Sequence, residues 1–344
     1  MTFVAERFGV GLHAGSGEAL DGLVDLALRR NPKRAHLLVS TVLGKHVPTD
    51  PGIVHQTGLR LGRAVGEILD GPPALVLGYA ETATALGHCV AEALGAHYLH
   101  STRHAGSGLA PAGSFEEAHS HATGHLLVPE DPALLARPGT LVLVDDEIST
   151  GRTALDTIRE LQRIRPRNRY VLAALVDLRS PDDRAHARQD AARLGTRLDV
   201  VALASGSVSL PRGFPGRAAD FVASHLVPPC DPPRRADVIR VPVRWRVRES
   251  GRHGFAPADV AAADAAARDQ AQLVAPAGPR VLVLGTEELM YAPLLIAGEL
   301  AGRPGLDVRF SSTTRSPVLA VDEPGYPIRT CLTFRTDDGE RYAY

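Results

Sequence analysis

The sequence predicts an α/β protein with a largely parallel sheet and a second, smaller α/β domain at the C-terminus. From about residue 35 to residue 223, short apolar runs alternate with stretches of helical periodicity, the pattern of parallel strands joined by crossover helices. Four prolines in segment 226–237 then interrupt regular structure, and a further strand-and-helix unit follows. We therefore expect one domain over 1–235 and another over 236–344.

Length and composition indicate an ordinary globular protein. The chain has 344 residues, of which 44% are hydrophobic, and a formal net charge of −1, so it can bury a substantial core and has no general basic field. Its start lacks a signal-peptide pattern, and no apolar run approaches the roughly 18 residues that span a bilayer. We therefore expect a cytoplasmic protein with no nucleic-acid or membrane partner. The three cysteines form no C-x-x-C pair, which argues against a zinc site or a disulfide framework.

The first domain contains six candidate strands and four candidate helices. The strands are short apolar runs and the helices are longer segments between them, as expected for a sheet with crossover connections. The candidate strands are 36–40, 74–78, 97–100, 140–144, 170–176 and 198–202, and the candidate helices are about 56–69, 83–94, 152–163 and 183–194.

The second domain opens with alternating apolar and arginine residues over 239–248, which predicts a strand with one apolar face. Pro242 would confine this strand to a sheet edge. Its arginine row either protects that edge or binds an anionic ligand. An Ala-rich helix over 256–273 and a strand over 280–285 are predicted next.

Two parts of the chain resemble each other. Residues 74–81 followed by Ser-Thr-Arg at 101–103 are echoed by residues 282–288 followed by Thr-Thr-Arg at 313–315. Each copy reads strand, Gly-x-x-Glu, helix, strand, Thr-Arg. We predict that 285–288 and 313–316 lie together at strand ends and form a second polar pocket, the alternative being a capping region that binds nothing.

The strongest motif lies in the middle of the chain. The apolar strand Leu141–Val144 runs into Asp145 and Asp146, and the hydroxyl- and glycine-containing segment Ser149–Thr153 precedes a helix. Strand ends of this kind bind ligands in open parallel sheets, and Gly151 permits a tight turn whose amides and hydroxyls can hold a phosphate. A plain helix cap would account for one hydroxyl residue only.

This stretch resembles the signature that binds phosphoribosyl diphosphate (PRPP) in type I phosphoribosyltransferases. The resemblance implies that Asp145 and Asp146 orient the ribose hydroxyls and bind Mg²⁺ indirectly, through PRPP or water. It implies a diphosphate loop after the 74–78 strand, often with a strained or cis peptide, and a basic residue, Arg103, that neutralises diphosphate. The implied ligand-binding residues are Ser149, Thr150, Gly151, Arg152 and Thr153 for the phosphate, and Gly78, Tyr79, Ala80, Glu81 and Thr82 for the diphosphate.

The Gly- and His-rich residues 104–125 resemble the flap that closes over the site in this family. Closure would exclude water from a reactive sugar cation. The candidates for proton transfer or phosphate contact are Glu116, Glu117, His119, His121 and His125, with Glu117 and His119 favoured as catalytic residues. Metal binding by His119 and His121 is the competing interpretation.

Lys45, one of only two lysines, is either an anion-binding residue or a solvated loop residue.

Taken whole, the chain resembles orotate-phosphoribosyltransferase-like proteins that carry a C-terminal domain named for a Thr-Arg-Ser-Pro signature, here 314–317. Similar proteins are encoded with tellurium-resistance and stress-response systems. The resemblance implies Mg²⁺-dependent transfer of phosphoribose from PRPP to a small nitrogenous acceptor, for a nucleoside-like metabolite, and a homodimer is one arrangement it suggests. A non-catalytic PRPP- or nucleotide-binding regulator and a lytic or reverse reaction on a phosphoribosylated precursor are the alternatives.

Overall fold

The computed structural model of the protein describes residues 3–30, 35–104, 106, 108–116, 124–225 and 238–344. Most strands of this part belong to one central sheet or to short pairs around it. The strands are β1 (Gly11–Gly17), β2 (Val24–Leu28), β3 (His36–Ser40), β4 (Leu75–Gly78), β5 (Tyr98–His100), β6 (Gly113–Glu116), β7 (Gly124–Leu127), β8 (Leu141–Ile148), β9 (Arg169–Asp177), β10 (Arg197–Ser209), β11 (Arg280–Gly285), β12 (Asp307–Ser312), β13 (Leu332–Thr336) and β14 (Gly339–Ala343).

Half of the helices in the described residues connect parallel strands. Each of the four helices predicted in the first domain is present, with ends shifted by a few residues. None of the helices in the described ranges combines the length and the apolar character needed to cross a membrane. The helices are α1 (Phe3–Phe8), α2 (Pro51–Gly66), α3 (Thr84–Leu94), α4 (Arg152–Ile164), α5 (Pro181–Arg193), α6 (Phe214–Ser224), α7 (Asp259–Gln272) and α8 (Tyr291–Ala301).

The central sheet has six strands in the order β1-β10-β9-β8-β4-β5. All neighbouring pairs are parallel except β1 with β10, at one edge. Because helices cover both faces of such a sheet, its inner strands are apolar on both sides, and Leu75, Val76 and Leu77 are each 0% exposed. The prediction of an α/β fold with a largely parallel sheet is confirmed.

The first predicted strand was assigned to the wrong sheet. Residues 36–40 do form β3, but β3 pairs antiparallel with β2 in a separate two-stranded sheet. No helix lies between β2 and β3, so the connection lacks the crossover that a parallel pair requires. Neither β1 nor β2 was predicted.

The predicted edge strand over 239–248 is wrong, because no strand forms there. Trp245 and Val247 pack against the core, but Ile239 and Val243 are 81% and 74% exposed, so the alternating apolar residues do not form one continuous buried face. The side chain of Gln270 in α7 bonds to the backbone of this segment instead. It accepts from the Arg244 amide at 2.8 Å and donates to the Pro242 carbonyl at 3.1 Å. Side-chain bonds have replaced strand pairing, and proline cannot donate to a ladder.

The C-terminal region contains the parallel pair β11–β12, helices α7 and α8, and the hairpin β13–β14. It shares a buried cluster with the first region, in which Cys89 of α3 packs with Met290 and Leu294. The boundary between 235 and 236 adjoins a segment outside the described residues and stays a prediction.

Candidate functional site

Two loops lie side by side at the carboxyl edge of the central sheet. Strands β4 and β8 are neighbours, with Gly78 opposite Val144. The Tyr79 amide, one residue further, donates to the Val144 carbonyl at 3.0 Å. The loop after β4 and the acidic end of β8 therefore start from adjacent positions, as the ligand sites of open parallel sheets do.

The two aspartates lie in the second half of β8, which runs to Ile148 rather than ending at Val144. Both are half-buried. Successive side chains in a strand alternate between faces, and the charges agree with this arrangement. Burial raises the pKa of the Tyr79 hydroxyl and the Asp145 charge adds to that rise, whereas Asp146 acts on the ammonium of Lys45.

The bend after β8 is open to solvent. Ser149 is exposed, and Thr150, Gly151 and Thr153 are partly exposed. Gly151 has a φ of +86° and occupies the cap position of α4, where no side chain makes a capping bond. This conformation favours glycine. At the helix start, the Arg152 amide donates to Thr150 Oγ1 at 3.4 Å, which is a long hydrogen bond.

The loop after β4 makes tight contacts. A Cβ on Gly78 would lie 2.3 Å from the Tyr98 hydroxyl, so glycine is required there. The peptide bond between Ala80 and Glu81 is cis. The Ala80 amide donates to Ser101 Oγ at 3.0 Å, and the Tyr79 amide donates to the Val144 carbonyl. The backbone amides of Glu81 and Thr82, in the same loop, have no hydrogen-bond acceptor among the described residues.

Tyr79 does not offer its side chain to a ligand. It is 3% exposed, and its hydroxyl donates to Thr157 Oγ1 at 3.0 Å, while the Thr157 hydroxyl donates to the Thr153 carbonyl at 2.8 Å. Tyr79 therefore connects the loop after β4 with the bend after β8.

Arg103 and His125 belong to one hydrogen-bonded group. The Arg103 guanidinium lies 3.3 Å from His125 Nε2, and since a guanidinium only donates, this nitrogen accepts. His125 Nδ1 then carries the proton and faces Ser101 Oγ at 2.8 Å. His125 is 1% exposed and stacks on Phe115, so it supports the hairpin β6–β7 and Arg103.

Lys45 is buried, with 1% of its surface exposed, so the solvated alternative is wrong. Its ammonium donates to Glu81 Oε2 at 3.3 Å, the Glu287 carbonyl at 3.4 Å and the Thr313 carbonyl at 3.0 Å. Burial lowers the pKa of this ammonium, and the carboxylates of Glu81, Glu287 and Asp146 offset only part of that effect.

The predicted juxtaposition in the C-terminal region is present. The Thr313 amide donates to the Gly285 carbonyl at 3.0 Å, and the Glu287 amide donates to Thr313 Oγ1 at 3.0 Å. Glu287 accepts from Arg315 Nε at 2.9 Å and Arg341 Nε at 2.5 Å. Burial would raise the pKa of the Glu287 carboxyl, but these guanidinium groups hold it below its ordinary value.

Some predicted residues lie outside the described part of the chain, namely Glu117, His119 and His121. In the ranges that are described, no three His, Cys, Asp or Glu side chains cluster as a metal site would require. Sequence reasoning missed Glu288 as an individual residue and missed Ser101 as the acceptor for the Ala80 amide. The Gly-x-x-Glu echo was the one signal that pointed to Glu288.

The chain has distant likenesses among solved structures. An adenine phosphoribosyltransferase from Trypanosoma brucei, in complex with AMP, pyrophosphate and ribose-5-phosphate, is 16% identical with a TM-score of 0.32, over 45% of this chain and 65% of that one. One from Giardia lamblia, with 9-deazaadenine, is 16% identical with a TM-score of 0.34, over 53% and 94%. An orotate phosphoribosyltransferase from Aeropyrum pernix is 22% identical with a TM-score of 0.30, over 49% and 78%. At these TM-scores the likenesses carry no argument.

The family models are decisive. Residues 23–207, more than half of the chain, match a family described as phosphoribosyl transferase. Residues 249–344 match the TRSP domain found C-terminal to that transferase domain. No curated protein matches the chain. The chain therefore belongs to the phosphoribosyl transferase family and carries a C-terminal TRSP domain.

Proposed function

We propose that the protein transfers the 5-phosphoribosyl group of PRPP to a nitrogenous acceptor with Mg²⁺ and releases diphosphate. One observation carries the proposal, namely the pairing of Gly78 with Val144 on adjacent strands. This pairing sets the acidic end of β8 and its open bend directly beside the loop after β4. A ligand with a sugar phosphate at one end and a diphosphate at the other fits two such neighbouring loops.

Each group has a defined task in the proposal. The bend at 149–153 binds the 5-phosphate through hydroxyls and helix-start amides, and Asp145 and Asp146 accept from the ribose hydroxyls. The amides of Glu81 and Thr82 and the Arg103 guanidinium bind diphosphate.

The reaction breaks the bond between ribose C1 and the diphosphate oxygen, which keeps the electron pair. A bond forms between C1 and the acceptor nitrogen, which loses a proton. The chain's contribution is to position both reactants and to stabilise separating charge.

Mg²⁺ would supply positive charge at the diphosphate. The residues present fit such an ion, because Mg²⁺ prefers oxygen ligands and is commonly held by one or two carboxylates together with substrate phosphates. Asp145 and Asp146 are two half-buried carboxylates at the carboxyl edge of the sheet, where the proposed ligand lies. We propose that they hold the ion through PRPP or water.

Diphosphate release tests the proposal. The full chain is incubated with PRPP, Mg²⁺ and a panel of nitrogenous bases, beside the variant Asp145→Asn/Asp146→Asn. We expect release by the wild type and a fall of roughly 100-fold or more in the variant, because misplacement of the reacting sugar is that costly. Asp156→Asn is the matched control, since Asp156 pairs with Arg159 on the exposed side of α4; it should retain activity.

Two outcomes point elsewhere. PRPP binding by calorimetry without diphosphate release across the panel favours a regulatory protein. Equal rates in the wild type and the double variant contradict the proposed site. The proposal further includes a nucleoside-like product and a link to tellurium resistance or stress, both of which rest on the resemblance alone.

A further inference from the structure

The two similar units have the same local geometry. In the first unit β4 pairs with β5, and the Ser101 amide donates to the Gly78 carbonyl at 3.0 Å. In the second unit β11 pairs with β12, and the Thr313 amide donates to the Gly285 carbonyl at 3.0 Å. Each unit thus has a Gly-x-x-Glu loop directly beside its Thr-Arg segment.

The acid of the second unit binds the Thr-Arg segment of the first. Thr102 Oγ1 donates to Glu288 Oε1 at 2.7 Å, and the Arg103 amide donates to Glu288 Oε2 at 3.4 Å. Glu288 therefore holds the segment from which the Arg103 side chain extends.

The converse contact is also present. Arg315 Nε, in the Thr-Arg segment of the second unit, lies 3.4 Å from Glu81 Oε1 in the first. The other Glu81 oxygen accepts from Lys45 at 3.3 Å. The two units therefore face each other, and the contacts are reciprocal. The glutamate of each Gly-x-x-Glu loop contacts the Thr-Arg segment of the other unit.

These contacts are buried, unlike ordinary surface ion pairs. The Glu288 side chain is 1% exposed and that of Glu81 is 9% exposed. Arg252 Nε also donates to Glu288 Oε1 at 2.6 Å. Burial would raise the pKa of the Glu288 carboxyl, but His100, Arg252 and the Thr102 hydroxyl hold it below its ordinary value. Loss of a partner from such a group costs far more than loss of an exposed pair.

We infer that the TRSP domain completes the diphosphate-binding half of the active site, with Glu288 and Arg315 as positioning residues. Glu288 fixes the position of the Arg103 backbone. Arg315 and Lys45 both contact the Glu81 carboxylate and so fix the position of the loop whose amides lie beside it. The inference rests on the proposed function, and it assigns to the C-terminal domain a part in binding one end of PRPP. The bend at 149–153, which would bind the other end, has no such contact from Glu288 or Arg315 among the bonds of the described residues.

Two probes separate the two halves of the site. PRPP would use both loops, whereas ribose 5-phosphate would use the bend and the aspartates only. In the full chain with Mg²⁺, we expect Glu288→Gln and Arg315→Met to weaken PRPP binding on the order of 10- to 100-fold, because small displacements of binding groups have effects of this size. The affinity for ribose 5-phosphate should stay within about twofold of the wild type, which a loss of folding would not allow.

Matched controls come from the same domain. Glu299→Gln removes a surface carboxylate 4.0 Å from Arg268, and Arg329→Met removes an exposed pair with Asp322; both should bind PRPP normally. If Arg315→Met does not fold, as judged by its melting transition, Glu288→Gln decides, because it preserves the side-chain shape.

The outcomes distinguish the two claims. A wild type that binds neither probe overturns the proposed function and the inference with it. A wild type that binds both probes, with variants of unchanged PRPP affinity, overturns the inference alone. Equal weakening of both probes in a folded variant also overturns it, since the effect would then not be confined to the diphosphate half.

Discussion

The hydroxyl of Tyr79 donates a hydrogen bond of 3.0 Å to Thr157 Oγ1 and so joins the loop after β4 to the helix after β8. The Thr157 hydroxyl in turn donates to the carbonyl of Thr153, at the end of the phosphate bend. The loops proposed for the two ends of PRPP are thus coupled through a buried pair of side chains. Loss of this contact itself should therefore affect both loops.

We predict that Tyr79→Phe lowers both stability and ligand affinity. The change deletes one buried hydrogen bond, which contributes about 1 kcal/mol to the free energy of unfolding. Because the bond joins the two loops, PRPP and ribose 5-phosphate should both bind a few-fold more weakly. Urea unfolding and calorimetry measure the two effects.

Tyr170→Phe is the matched control. Tyr170 is also fully buried, and its hydroxyl donates to Gln162 Oε1 at 3.1 Å, near the start of β9 and far from the carboxyl edge. It should cost similar stability and leave affinity unchanged. If both phenylalanine variants bind PRPP equally well, Tyr79 has no part in aligning the loops.

Gly78→Ala should disturb the diphosphate loop directly. The added Cβ would approach the Tyr98 hydroxyl to 2.3 Å and the Ala83 carbonyl to 3.1 Å, and overpacking of this kind costs about 1–3 kcal/mol. We expect lower stability and weaker PRPP binding, measured by urea unfolding and calorimetry. Gly298→Ala, on the exposed side of α8 with nothing within 4 Å, should instead be neutral or stabilising by up to about 1 kcal/mol. Tolerance of alanine at Gly78 would show that the loop can move aside.

The predictable part of the fold is the part encoded locally. Buried parallel strands such as β4 and β8 appear as continuous apolar runs, and the predictions for them are confirmed. Two errors came from long-range pairing. Segment 239–248 has strand periodicity, yet Gln270 of α7 supplies its hydrogen bonds. Strand β3 has the right sequence for the central sheet but pairs with β2.

The candidate site shows the same limit. The motif around Asp145 is contiguous, so sequence alone could find it. The contact between Glu288 and Thr102 joins residues 186 positions apart, and no local pattern encodes such a meeting. The echo between the two units indicated similar shapes but did not predict that they face each other.

Lys45→Met should destabilise the junction between the two units. The ammonium has three acceptors, the Glu81 carboxylate and the carbonyls of Glu287 and Thr313, and methionine would leave a buried carboxylate short of a partner. Breaking a buried pair in this way costs about 3–5 kcal/mol. We expect this loss in urea unfolding. Arg329→Met, which breaks an exposed pair, should cost about 1 kcal/mol or less. Similar losses in both variants would contradict the structural role of Lys45.

Stability should fall on mild acidification because of His46. Burial lowers the pKa of His46 from 6.5 to about 3, so the unfolded chain takes up a proton before the folded one does. This contribution is complete above pH 6.5 and is lost as pH falls toward 3. Between pH 7 and pH 4.5 it amounts to about 2.5 kcal/mol. Asparagine tolerates the φ of +70° at this position. Between pH 7 and pH 4.5, the free energy of unfolding of His46→Asn should therefore fall by about 2.5 kcal/mol less than that of the wild type.

His55 provides a control of opposite sign. A hydrogen bond to Glu92 raises the pKa of His55, so its contribution is present at low pH and is lost as pH rises through that value. His55→Asn should therefore make the protein lose more stability on acidification, whereas His46→Asn makes it lose less. Urea unfolding of the three proteins at both pH values tests this contrast. Parallel pH profiles for the wild type and His46→Asn would mean that His46 is protonated in the folded state or is accessible to water.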